Sequence, residues 1–289
     1  MYKIYCAVVT PFKENLEIDY IAFKRLINKL INDGVDGIIV GGTTGEAPTL
    51  TIREKKKLYE FASLLIDKRC SLYFGVGTND TKETIEFIRM LDNIPCDGYL
   101  AVVPYYNKPS QKGLVAHFKK IADSTDKDIW LYNIPSRCVI GLDLESIIEL
   151  SKVKNIKAIK EASNNFDLMK QIKNNTNLEV YIGEDYLIYD AYKEGLDGVI
   201  SVAAHIFTKE IRNIMKKKDE KKFNLYKYKF QVLFYEPNPV MIKSLLKKLN
   251  YIKPYVRLPH IELDKDLIEK YYKIIIGFNE EGIDLSKDG

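Results

Sequence analysis

The sequence predicts an α/β fold, a (β/α)8 TIM barrel with an appended C-terminal helical region, on three observations. Short apolar, β-branched segments recur at regular intervals, each is followed by a longer stretch with helical periodicity, and eight such segments can be counted. The candidate strands lie at 5–10, 37–41, 72–76, 98–103, 129–132, 156–160, 178–182 and 198–202, with helical patterns such as 20–33, 52–68 and 81–91 between them. Strands buried on both faces read as continuous apolar runs, as Ile38-Ile39-Val40 and Ala101-Val102-Val103 do. An open doubly wound sheet shares the alternation, but no GxGxxG follows the first strand and no second-domain break interrupts the repeat. Beyond the eighth strand the chain is helical and polar-rich, without a Pro/Gly/Ser linker or low-complexity tract. Residues 1–224 are therefore read as the catalytic barrel and 225–289 as a helical region packed on it.

Bulk properties narrow the function. The 289 residues are 46% hydrophobic, enough for one large barrel or two ordinary domains. The 44 basic and 40 acidic residues are interspersed, so the net charge of +4 forms no single-sign field for nucleic acid or a membrane surface. Lysine runs at 55–57 and 216–218 sit in amphipathic stretches beside acidic residues and read as solvated helix faces. The N-terminus enters an apolar segment with no charged leader, and no apolar run is long enough to span a bilayer, so a cytoplasmic location is expected. Cys6, Cys70, Cys96 and Cys138 are scattered singly, without CxxC spacing, and read as reduced, mostly buried thiols.

In such a barrel the chemistry stands at the C-terminal ends of the strands and in the loops that follow. There the sequence places Gly41-Gly42-Thr43-Thr44-Gly45-Glu46, Pro104-Tyr105-Tyr106-Asn107, Tyr132-Asn133-Ile134-Pro135-Ser136-Arg137, Lys160-Glu161 and Gly183-Glu184-Asp185. Lys160 closes an apolar strand, where desolvation opposes its charge and favours an amine that can attack a carbonyl. The same position suits a lysine that snorkels to the barrel mouth or pairs with Glu161 or Glu184. Tyr132, one βα unit earlier, carries a phenol that can shuttle protons, or simply packs in the core. Thr43 and Thr44 lie in a glycine-flanked turn whose N–H groups and hydroxyls suit a carboxylate, although a capped strand-to-helix turn looks the same; no Gly-Lys-Ser/Thr closes it as a nucleotide loop. The planar fork of Arg137 can bind a carboxylate through two hydrogen bonds or make a surface ion pair.

Taken together, Gly42-Thr43-Thr44-Gly45-Glu46, Pro104-Tyr105-Tyr106-Asn107-Lys108-Pro109, Tyr132-Asn133-Ile134-Pro135-Ser136-Arg137, Ile159-Lys160-Glu161-Ala162, Gly198-Val199-Ile200-Ser201-Val202 and Asn238-Pro239-Val240 resemble, over essentially the whole chain, the pyruvate-dependent class I aldolases of the dihydrodipicolinate synthase and N-acetylneuraminate lyase family. Within it, the double threonine and the Ser136-Arg137 pair resemble the condensing enzymes of diaminopimelate and lysine biosynthesis; the sialic acid lyases typically show Gly-Ser-Thr-Gly-Glu and lack that arginine. The resemblance implies that pyruvate forms an imine with Lys160, tautomerises to an enamine and attacks L-aspartate 4-semialdehyde, with no metal or external cofactor. It also implies that Tyr132 donates and accepts protons, that Thr43 relays them, and that Tyr106 is inserted from a neighbouring subunit. Thr44, Ile200 through its backbone, and Gly183 would bind pyruvate, and Arg137 the incoming carboxylate. A homo-oligomer follows, a dimer at least and a tetramer, as a dimer of dimers, by family habit.

Asn79, Glu83 and Tyr105 resemble the site at which lysine inhibits many members. Ala47, Ile52 and Lys55 replace the polar and histidine residues of inhibited forms, and a cationic Lys55 would repel a cationic effector, so weak or absent lysine feedback is expected. Two other readings stay open. One is a lyase of the same family acting on N-acetylneuraminate or a 2-keto-3-deoxy sugar acid; the other is a non-catalytic ligand-binding barrel, which would be expected to have lost Lys160, Tyr132 or a threonine.

Overall fold

A computed structural model of the chain describes residues 1–276. Eight parallel strands close in chain order into a barrel: β1 Lys3–Ala7, β2 Gly37–Val40, β3 Ser71–Gly75, β4 Gly98–Val102, β5 Asp128–Asn133, β6 Ile156–Glu161, β7 Glu179–Ile182 and β8 Gly198–Ser201, with β8 pairing back onto β1. All eight expected segments are strands, with shifted ends. The first begins at Lys3 instead of residue 5, because Lys3 N–H donates to Asp197 O (2.9 Å) and its ammonium pairs with Glu179 on β7. Lys3 therefore belongs to the ladder, and 8–10 leave it after Val8 N–H donates to Ile39 O.

What fills the barrel can be read from register. Tyr5, Tyr73, Trp130 and Tyr181 project from β1, β3, β5 and β7 into one layer, with ring centroids 3.9 Å (Tyr73–Trp130) to 6.1 Å (Tyr5–Tyr73) apart. Their partners on the following strands are Gly37, Gly98, Ala158 and Gly198. A Cβ on Gly37 would lie 2.2 Å from the Tyr5 ring, and one on Gly98 2.8 Å from the Tyr73 ring. Each odd strand thus supplies a ring and each even strand the space for it, a four-membered layer from alternate strands. Even strands β2, β4 and β8 are preceded by an aspartate that accepts the backbone N–H of the strand before: Asp36 from Ile4 (2.6 Å), Asp97 from Leu72 (2.7 Å) and Asp197 from Val180 (2.7 Å). The aromatic layer floors the barrel, so groups two residues further along, such as Tyr132 after Trp130 and Gly183 after Tyr181, stand above it toward the C-terminal rim.

Helices Tyr20–Asp33, Ile52–Ile66, Thr81–Met90, Gln111–Ala122, Leu144–Leu150, Phe166–Asn175, Ile188–Lys193 and Ala204–Lys217 follow the strands in turn. Several open on a side-chain cap, including Asp19, Ser110, Asp143 and the Thr51/Glu54 capping box. The helix expected over 52–68 stops at Ile66 because Asp67 and Lys68 turn to positive φ (42° and 59°). Helices Glu220–Val232, Val240–Lys248 and Lys265–Ile275 form the C-terminal region; the first packs on the turn Asp185–Leu187 and on Ala204–Lys217, and the division expected at 224/225 lies inside it. Residues 277–289 of that expected region lie outside the described residues. No helix among the described residues is long and apolar enough to cross a membrane.

Candidate active site

Strand alternation decides what the end of β6 offers. Lys160 points into the barrel and Glu161 out of it. Lys160 is only 8% exposed, its register partner is Tyr132 on β5, and its Nζ lies 4.3 Å from the centre of the Tyr132 ring. Glu161 is fully buried on the other face and fully engaged, accepting from Asn133 Nδ2 (2.8 Å) and Ser163 N–H (2.8 Å), with burial pushing its carboxyl above the usual range. It therefore does not neutralise its neighbour. Glu184 is half-buried; burial raises its carboxyl against the opposing charges of Lys160 and Arg137, and it reaches ion-pair distance of neither. Gly183 leaves the room Lys160 needs, since a Cβ there would sit 3.1 Å from Lys160 Cε and 2.8 Å from Ala162 Cβ.

The loop after β2 is shaped by Gly41, which takes φ +73° where a Cβ would lie 1.9 Å from the Tyr59 hydroxyl. Gly45 O accepts from the Thr10 hydroxyl (2.7 Å), tying the loop to the end of β1. Thr43 is half-buried; Thr44 is buried, and its Oγ1 accepts from Asn238 Nδ2 (2.9 Å). Glu46, at φ +55°, is fully buried against Lys243. Ile200 lies in β8 beside Tyr5 in the register. Lys160, Tyr132 and Gly183 thus meet directly, Arg137 lies within electrostatic reach through Glu184, and Thr43, Thr44 and Ile200 stand at the ends of β2 and β8 on the same rim. Tyr106 is different: at φ +74° and 87% exposed, it is not packed into the Lys160 pocket of its own chain.

The residues compared with an effector site form a separate patch. Asn79 O accepts from Asn107 Nδ2 (2.8 Å). Burial pushes the Lys55 ammonium down against the opposing charge of Glu83, while burial and Glu83 push the Tyr105 phenol up. Lys55 therefore shares the patch with Glu83 and Tyr105 as a resident cation.

Sequence reasoning named Asp185 only as part of Gly183-Glu184-Asp185 and passed over His205, the two polar groups that hold the rim in shape. Buried Asp185 accepts from the Ser201 hydroxyl and from Val202 N–H (3.0 Å) and Ala203 N–H (2.8 Å), and burial pushes its carboxyl up to about 6. Buried His205 accepts from Val9 N–H at Nε2 (3.1 Å) and faces Val202 O at Nδ1 (2.8 Å); burial pushes its imidazole down to about 4. The pair fastens the end of β8 to β1. Their only sequence signal was a polar residue at a buried helical or loop position, which has no address until the fold supplies its partners.

These groups set an acid limit. His205 and His117, the latter also pushed by burial to about 4 from 6.5, stay neutral in the native chain while the unfolded chain takes up protons, so stability is lost as pH falls between those values. Asp185, raised from 3.8 to about 6, is protonated first in the native chain and returns stability over an overlapping range. Two groups outweigh one. Urea unfolding should show a net loss on the order of 3 kcal/mol between about pH 7 and about pH 4.5; a flat profile would contradict the buried-neutral assignment.

Known proteins resemble the chain over nearly its whole length. The model of the dihydrodipicolinate synthetase family matches residues 1–276. The 4-hydroxy-tetrahydrodipicolinate synthase of Leuconostoc mesenteroides is 40% identical over 265 residues, covering 89% of this chain and 92% of that protein. The crystal structure of a dihydrodipicolinate synthase from Bacillus anthracis superposes with a TM-score of 0.93 at 35% identity, covering 96% of this chain and 98% of that one. That of the Cyanidioschyzon merolae enzyme with lysine bound gives 0.91 at 34% identity, covering 95% and 97%.

Proposed function

The chain belongs to the dihydrodipicolinate synthetase family, and we propose that it has the activity its relatives are named for: a Schiff-base-forming lyase of the cytoplasm that condenses pyruvate with L-aspartate 4-semialdehyde. The observation that carries this reading is the buried Lys160 amino group, free of any ion pair among the described residues and held between the Tyr132 ring and Gly183. An amine so placed attacks the pyruvate carbonyl, and loss of water gives the imine. The iminium then acts as the electron sink for enamine formation, so the reaction needs neither metal nor external cofactor. Tyr132 is the proton donor and acceptor beside the reacting nitrogen, with Thr43 and Tyr106 of a neighbouring copy completing the relay; the dimer is then the smallest complete unit. Thr44, Gly183 and Ile200 hold pyruvate, and Arg137 receives the carboxylate of the aldehyde.

The test is product formation from pyruvate with aspartate 4-semialdehyde, set against cleavage of N-acetylneuraminate and 2-keto-3-deoxy sugar acids. Arg137→Ala should raise the KM for the semialdehyde by about 10²-fold, as expected for a lost bidentate carboxylate contact, while leaving imine formation with pyruvate intact. Turnover of the sugar acids with none of the semialdehyde would overturn the substrate assignment. Free lysine at low concentration should leave the rate unchanged, because Lys55 already places a cation beside Glu83; strong inhibition would refute that reading of the patch.

A further inference from the structure

We propose that Asn238 is a positioning residue for Thr44 that fixes the threonine hydroxyl as a hydrogen-bond donor toward bound substrate; the proposal rests on the reading of Thr44 as a pyruvate ligand. Asn238 lies 194 residues from Thr44 in sequence and precedes Pro239, the N-cap of helix Val240–Lys248. Its Nδ2 donates to Thr44 Oγ1 at 2.9 Å, and its Oδ1 is buried with no partner among the described residues.

A threonine hydroxyl has one proton to give and two lone pairs to accept with. When the amide N–H fills a lone pair, the hydroxyl proton must point elsewhere, and an anion at the rim is the acceptor it suits. The opposite amide orientation would take the Thr44 proton into Oδ1, leave Nδ2 as the buried orphan and turn the hydroxyl from donor to acceptor. Orphaned N–H groups are rarer in buried sites than under-satisfied carbonyl oxygens. The segment is also held rigidly: helix Val240–Lys248 carries Lys243, which is paired with Glu46, and Arg257 N–H donates to the same carboxylate (3.0 Å). The loop bearing Thr44 is thus gripped at two points two residues apart by one part of the C-terminal region.

The experiment compares pyruvate KM, kcat and borohydride-trapped pyruvyl adduct for wild type, Asn238→Ala, Asn238→Asp, Thr44→Val and Thr44→Val/Asn238→Ala. Asn238→Ala should raise pyruvate KM by about tenfold with kcat little changed, the value of one hydrogen bond. Asn238→Asp, nearly the same shape but able only to accept from Thr44 when ionised, should be worse, by about 10²-fold, because it also brings a like charge toward the substrate carboxylate. In the Thr44→Val background Asn238→Ala should add nothing to KM, since no hydroxyl remains to orient. Asn238→Asp matching wild type, or full additivity in the double variant, overturns the proposal. Absence of any adduct in the wild type is a different failure, that of the imine reading itself.

Discussion

Lys160→Ala should yield no pyruvyl adduct on borohydride reduction and should lose turnover by on the order of 10³-fold or more, while wild type carries the adduct on the peptide containing Lys160. The size follows from the kind of role. A covalent catalyst is not one contact among several, and the groups arranged around it act on an intermediate that no longer forms. Lys160→Arg sharpens the test: the guanidinium keeps a positive charge beside Tyr132 but is not a nucleophilic amine, so it should be as inactive as alanine if the role is covalent, and partly active if the lysine only attracts the substrate carboxylate. Both variants should fold, because Lys160 makes no ion pair among the described residues whose loss would strand a buried carboxylate. An adduct on another lysine, or one surviving in Lys160→Ala, would move the chemistry elsewhere on the barrel.

Lys160 was legible in the sequence because a charged residue ending an apolar strand is anomalous wherever it occurs, and because barrel topology says which strand end faces the chemistry. The strands were legible for a related reason: apolar runs such as Ile38-Ile39-Val40 occur where both faces are covered. The division of labour within the barrel was not. Gly37, Gly98 and Gly198 read only as the first residues of strands, and the register alone reveals that they make room for rings on neighbouring strands. Asn238 was legible only as part of the motif Asn238-Pro239-Val240, and what it and Lys243 touch was not, since each meets the loop at 43–46 from more than 190 residues away, and no local pattern encodes a partner at that distance. The loop at 43–46 is contributed by the first quarter of the chain and held in shape by the last.

That dependence predicts the largest stability effect in the molecule. Glu46 and Lys243 form an ion pair in which neither side chain is exposed. The second Glu46 oxygen accepts from Arg257 N–H (3.0 Å), Lys243 also donates to Tyr255 O (2.8 Å), and its ammonium lies 4.1 Å from the Phe12 ring centre. Removing one member strands the other's charge, at a cost of about 3–5 kcal/mol. The two removals should not be equal. Burial already pushes the Lys243 ammonium down to about 8 despite the opposing pull of Glu46, so in Glu46→Gln the lysine can shed its proton near neutral pH and escape most of the penalty. In Lys243→Met the Glu46 carboxylate keeps one N–H donor and only the more distant charge of Arg257, which already pairs with Glu54, and taking up a proton to become neutral costs more at pH 7 because that lies further from the ordinary carboxyl range. Urea unfolding at pH 7 should therefore rank Lys243→Met below Glu46→Gln, and the double variant should recover much of the Lys243→Met loss because no unpaired charge remains. Additive losses in the double variant would mean that the pair is held by packing around it and not by the charge each partner neutralises in the other.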